Sequence, residues 1–139
     1  MPTERCIFCN IVSGEEPCVQ LYADNDTMAF MDKYPANDRH CLVTPKALYH
    51  TIFEMPPEGF ASLARTVIKI AAGVQRGLKP GGLNLVQANG PIAGQSVMHV
   101  HVHVLPRRKD DNLLINWSHL GEGDPACIVE LAGLIRAHL

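Results

Sequence analysis

The chain has 139 residues, 47% of them hydrophobic and 19% charged, with a formal net charge of −2; this suits a single domain over 1–139 and carries too few charges for a disordered polymer. The near-neutral balance gives no general attraction to nucleic acid or anionic membrane, so any phosphate it binds must be held locally. No apolar run approaches the ~20 residues of a membrane span, and Met1-Pro2-Thr3-Glu4-Arg5 lacks the apolar core of a secretory signal, so a cytoplasmic protein is expected.

From Cys6 to Val12 the apolar spacing predicts a short helical turn, ended by Ser13-Gly14-Glu15-Glu16-Pro17. Five cysteines, at 6, 9, 18, 41 and 127, form an odd set without an export signal and read as reduced thiols. Cys6-Ile7-Phe8-Cys9 is then either a metal knuckle or two thiols beside a packed apolar pair. Gln20 to Ala23 and Thr27 to Met31 read as strands joined by the turn Asp24-Asn25-Asp26. Asp32 to Arg39 reads as loop, and His40-Cys41-Leu42-Val43-Thr44 as the next strand, stopped by Pro45. After Met55-Pro56-Pro57 comes the clearest helix, with Phe60, Leu63, Ala64, Val67, Ala71, Val74 and Leu78 on one stripe. Lys79-Pro80-Gly81-Gly82 ends it.

Leu83 to Gln87 reads as a strand and Ala88 to Ser96 as a glycine-bearing loop. In that loop Gly90 and Gly94 permit close backbone approach. The amides of Gly94, Gln95 and Ser96, with the Ser96 hydroxyl, are candidates to hold an anion, phosphate being the natural guest. Val97 to Leu105 reads as a fifth strand with three histidines at alternate positions: His99, His101 and His103 share one face, and Met98, Val100, Val102 and Val104 the other. Side chains two residues apart on a strand start about 6.8 Å apart, so two of these histidines can converge on one ion but three cannot. A basic turn at Arg107-Arg108-Lys109, a short apolar piece around Leu113 to Trp117 and a helix from about Ala126, announced by Asp124-Pro125, complete the chain. The pattern predicts an α+β domain: a mostly antiparallel five-stranded sheet with two helices.

The stretch from Asn89 to Arg107, with Gly-Gln-Ser-Val-Met-His-Val-His-Val-His-Val-Leu-Pro-Arg at its core, resembles the signature of the histidine triad (HIT) superfamily. The resemblance extends through Cys6-Ile7-Phe8-Cys9, Ala29-Phe30-Met31-Asp32 and His40 to Lys46, and is nearest the Hint-like nucleoside phosphoramidases and bacterial HIT proteins. It implies a homodimeric nucleotide hydrolase or transferase cleaving purine nucleoside phosphoramidates or related nucleoside 5′-phosphate derivatives through a nucleotidyl-histidine intermediate. His101 is then the nucleophile, His103 assists the leaving group, His40 helps bind the α-phosphate, His99 orients the nucleophile, and Ser96 with the Gly94 and Gln95 amides holds the phosphoryl oxygens. Asp32 matches the acid that accepts the ribose hydroxyls, and Ile7, Phe8, Phe30 and Leu42 match the walls around the base. Alternatives are a dinucleoside polyphosphate hydrolase, a nucleotide-binding regulatory module with incidental turnover, and a metal-dependent enzyme.

Three positions depart from the family pattern. Ala88 stands where several relatives have Asn or Gln, so Asn89 or Gln87 supplies that amide or it is absent. Met98 replaces an aromatic residue. Leu48 stands where zinc-binding relatives carry a histidine, so a structural zinc on Cys6, Cys9 and His99 would need His50 as its fourth ligand. Catalysis itself needs no cofactor on this reading. His119 and His138 lie outside every motif and read as surface residues.

Overall fold

The computed structural model describes residues 6–115 and 121–139. Three helices, α1 (Ile7–Ser13), α2 (Pro57–Leu78) and α3 (Pro125–Arg136), accompany five strands: β1 (Gln20–Ala23), β2 (Thr27–Met31), β3 (Cys41–Pro45), β4 (Gly82–Val86) and β5 (Val102–Arg107). The strands form one antiparallel sheet in the order β1-β2-β3-β5-β4. The architecture is therefore α+β with five strands, as the pattern predicts. The helical turn expected at Cys6–Val12 is a full α-helix, giving three helices where the pattern counts two.

Local chemistry explains the joins. In the β1–β2 turn, Asp24 Oδ1 accepts from the Asp26 and Thr27 amides at 2.9 and 2.7 Å, which closes the hairpin. α2 begins with Pro57 in its first turn, where the missing amide costs nothing, and ends at Lys79 with φ 46°. Asp124 caps α3, accepting from the Ala126 amide at 3.2 Å.

Period-two alternation sorts the sheet into two unequal cores. On one face Ala29, Cys41, Val43, Val102 and Val104 pack with Val100 under α2, whose buried residues are Leu63, Thr66, Val67, Ile70 and Val74. Phe60 and Leu78, expected on the buried stripe, are 40% and 42% exposed, and Ala64 is exposed as well. Thr66 earns its buried place with a 2.6 Å hydroxyl contact to Thr27 of β2. On the other face Met28, Phe30 and Leu42 pack with Phe8 and Ile11 of α1. This smaller core leaves room beside it for imidazoles.

The histidine segment departs from the sequence expectation. β5 begins only at Val102, so His99 and His101 precede the regular strand rather than lying on it. Their neighbours' backbone groups are spent elsewhere: the Val100 amide donates to the Tyr49 carbonyl at 2.7 Å and the Val100 carbonyl accepts from Thr44 Oγ1 at 2.8 Å. Side-chain alternation nevertheless survives, with Val100, Val102 and Val104 in the α2 core. Met98 does not join them and is 39% exposed.

Leu63, with no exposed surface, sits at the centre of the larger core. Leu63→Ala should destabilise the protein by about 2 to 5 kcal/mol, read from urea unfolding at constant m-value.

Candidate functional site

Three histidines, His40, His101 and His103, meet on the α1 face of the sheet with His99 beside them, and each ring is oriented by a named partner. His101 Nδ1 lies 2.7 Å from the backbone carbonyl of His99. A carbonyl only accepts, so the proton is on Nδ1 and the lone pair of Nε2 is left for chemistry. Phe8 packs edge-on against the His101 ring at 5.0 Å, and His103 at 4.7 Å.

His40 is fixed from the other side. The Ala36 amide donates to His40 Nδ1 at 3.0 Å, which places the His40 proton on Nε2. Nε2 donates to His103 Nδ1 at 2.8 Å, and this in turn places the His103 proton on its own Nε2. A backbone amide thus sets two tautomers in sequence. Asp32 Oδ2 stands 3.4 Å from His40 Nδ1, while Asp32 Oδ1 accepts from the Tyr34 amide at 2.9 Å.

Burial dominates the electrostatics. His103 is pushed down to about 4, first by burial, then by the neighbouring His101 and His40. Burial likewise lowers His40 and His101, and Asp32 partly offsets it in both. The imidazoles are therefore neutral near pH 7, the state in which a nitrogen lone pair is nucleophilic.

His99 turns its side chain away from this group. Its Nε2 donates to the Pro45 carbonyl at 2.7 Å, which leaves Nδ1 as a lone pair facing Cys6 Sγ at 3.2 Å and Cys9 Sγ at 3.5 Å. The two sulfurs are 3.1 Å apart. These three donors fit a thiophilic metal: their ligand atoms lie together, and the carbonyl fixes the tautomer that can ligate. His50, the expected fourth ligand, is not brought to them. It is exposed and faces Glu54 at 3.3 Å. Asp32, His40 and His103 also converge, but both His40 nitrogens are already engaged, by Ala36 and His103.

The loop before the histidines is braced differently from expectation. The Gly94 and Gln95 amides donate to the Pro91 and Gly90 carbonyls at 3.0 and 3.1 Å, closing a 3-10 turn at Pro91–Ala93. The buried Gln95 side chain accepts from the Gly90 amide at 2.8 Å and donates to the His50 and Val97 carbonyls. Gln95 is therefore a brace, not an open donor to an anion. Asn89 accepts from the Ile52 amide and pairs with Gln87, so the two amides expected to compensate for Ala88 hold each other. Ser96 is exposed, and among the described residues its hydroxyl is spent on no brace.

A cavity of about 590 Å³ is lined by Ile7, Phe8, Ile11, Phe30, Asp32 and Val97; none of the four histidines lines it, and Phe8, which packs on the His101 ring, stands between them. Leu42, the register partner of Phe30 on β3, is buried and does not line the cavity. Glu16, Cys18 and Lys33 also line the cavity. Sequence reasoning missed these, since nothing local shows that the segment after α1 folds alongside Met31. His138 is exposed, and His119 lies outside the described residues.

Residues 13–110 match the HIT domain family. An adenosine 5′-monophosphoramidase of Schizosaccharomyces pombe is 36% identical over 113 residues, 81% of this chain and 82% of the relative. An adenylylsulfatase of Arabidopsis thaliana is 36% identical over 108 residues, 78% of this chain, which spans only 55% of that longer relative. The crystal structure of a HIT family protein from Bacillus subtilis superimposes with a TM-score of 0.91 at 33% identity, covering 98% of both chains. A zinc-bound histidine triad family protein from Mycobacterium smegmatis superimposes with a TM-score of 0.74 at 32% identity, covering 93% of this chain and 96% of that one.

The depressed pKa of His103 sets an acid limit. An unfolded histidine binds its proton near pH 6.5, whereas folded His103 refuses it until about 4. Its contribution to stability is complete above pH 6.5 and is lost as pH falls towards 4. The melting temperature should therefore decline across that window, and less steeply in His103→Asn. A flat profile from pH 7 to 4 would refute this assignment.

Proposed function

The chain belongs to the HIT domain family, and from that premise we propose that it is a nucleotide hydrolase that cleaves purine nucleoside 5′-phosphoramidates through a nucleotidyl-histidine intermediate. The observation that carries this reading is the 2.7 Å contact between His101 Nδ1 and the His99 carbonyl, which leaves an unprotonated Nε2 on a buried, neutral imidazole. That nitrogen attacks the α-phosphorus, and the phosphorus–nitrogen bond of the substrate breaks as the new phosphorus–nitrogen bond forms. His103 Nε2–H donates a hydrogen bond to the departing group, which takes up a proton from solvent. Water then attacks the phosphorus, releases a proton, and frees His101 with the nucleoside monophosphate.

The other roles follow from position. The Ser96 hydroxyl meets the phosphoryl oxygens as charge builds on them. Asp32, which lines the cavity, keeps lone pairs for the ribose hydroxyls beside the one used by Tyr34, and Phe8 and Phe30, packed edge to face at 5.5 Å, form one continuous wall for the base. The relative named as an adenosine 5′-monophosphoramidase supports the substrate class. A homodimer belongs to the same reading: β4 is an open sheet edge, with Leu85 49% and Ile68 67% exposed beside it.

Cys6, Cys9 and His99 hold a structural zinc in this proposal, supported by their fixed geometry and by the zinc-bound relative. The ion would tie α1 to the segment whose carbonyl orients His101. It supplies cross-linking, not reaction chemistry, and its fourth ligand is not His50.

His101→Ala should lower turnover of adenosine 5′-phosphoramidate by about a thousandfold or more while AMP still binds, and rapid acid quenching of the parent should trap an adenylylated chain that the variant never shows. Near-normal turnover in the variant would overturn the nucleophile assignment. For the metal, protein purified without chelator should hold about one zinc per chain, and chelation should lower the melting temperature more than it lowers specific activity. Metal content near zero would remove the site.

A further inference from the structure

The cavity proposed for the base is not apolar all round. Glu16 and Lys33 line it, from different segments, and their charged ends lie 4.0 Å apart. Two backbone bonds explain the approach. The Glu16 amide donates to the Asn10 carbonyl at 3.1 Å, anchoring the segment to the end of α1, and the Met31 amide donates to the Val19 carbonyl at 2.9 Å, drawing the same segment against the end of β2. Lys33 follows two residues later, with Nζ 5.8 Å from the Tyr34 ring centroid. As a surface ion pair this contact does little: Lys33 is 72% exposed, Glu16 32%, and 4.0 Å in such a setting stabilises almost nothing.

Beside a bound purine the pair has a specific use. A carboxylate only accepts, and its two oxygens match two parallel N–H donors, as they match an arginine fork. The outer edge of guanine offers that arrangement, N1–H and the 2-amino group side by side, with the O6 acceptor next to them for an ammonium. Adenine offers one donor, the 6-amino group, and turns the lone pair of N1 towards the carboxylate. Resting on the nucleotide reading of the site, we propose that Glu16 and Lys33 read the base and select guanine over adenine nucleotides. Glu16 receives N1–H and the 2-amino group, Lys33 donates to O6, and the aromatic walls hold the ring plane without preference between purines.

The test is calorimetric titration with GMP, IMP and AMP at fixed salt and pH. The parent should bind GMP about tenfold or more tighter than AMP, since it gains a charge-assisted bond and loses a repulsion, with IMP, which lacks the 2-amino group, between them. Glu16→Gln places a donor beside an acceptor, the arrangement that pairs with adenine. It should therefore weaken GMP about tenfold while AMP binds as well as before or better. Lys33→Met should reduce the affinity for GMP and IMP alike, because both carry O6. Equal affinities for GMP and AMP in the parent, or an equal loss of both in Glu16→Gln, would overturn the base assignment alone and leave the histidine chemistry standing. If none of the three nucleotides bound, the nucleotide reading of the site would fail as well.

Discussion

Burying three imidazoles, with a fourth half-buried beside them, on one face of a five-stranded sheet is the constraint from which the rest of this site follows. A charged imidazole is expensive in such a place, so the rings must be neutral, and a neutral ring needs a partner for each nitrogen that water no longer reaches. The partners here are mostly backbone: the His99 carbonyl for His101, the Pro45 carbonyl for His99, and the Ala36 amide for His40. Backbone groups do not titrate and do not rotate away. The tautomers they impose are as permanent as the fold.

His99 joins two parts of the molecule through two different groups. Its carbonyl orients the ring that stands two residues later, while its side chain reaches Cys6 and Cys9 at the start of α1. α1 in turn delivers Phe8, which walls the cavity and packs on both His99 and His101. A disturbance at the thiols would thus reach the His101 ring through one residue. The position of β5 fits this arrangement, because a regular strand through His99 would commit the carbonyl that His101 needs.

The loop at Ala88 to Ser96 shows a similar economy. Gln95 spends its side chain on the Gly90 amide and two carbonyls, and its backbone amide on the Gly90 carbonyl. Gly90 and Gly94 adopt φ of 89° and 93°, conformations that a side chain would strain. The loop is shaped from within, and Ser96 is left exposed at its end.

By itself the sequence determined a good deal. Alternation of valine and histidine set Val100, Val102 and Val104 on one face and the imidazoles on the other, the 3.6-residue stripe marked α2, and Asp24 and Asp124 announced a turn and a cap, because each of these signals is local and needs no distant partner. The motif from Asn89 to Arg107 likewise marked the family, since its residues are contiguous. What only the tertiary structure decided depends on contacts between segments far apart in the chain. Nothing near Ala36 tells that its amide will set the His40 tautomer, or near Gln95 that its side chain will be consumed by a loop, or near His50 that it will turn to Glu54 and away from the thiols. The meeting of Glu16 with Lys33 at the cavity is of the same kind, for it rests on two backbone hydrogen bonds, Glu16 to Asn10 and Met31 to Val19, that no pattern of residue types encodes.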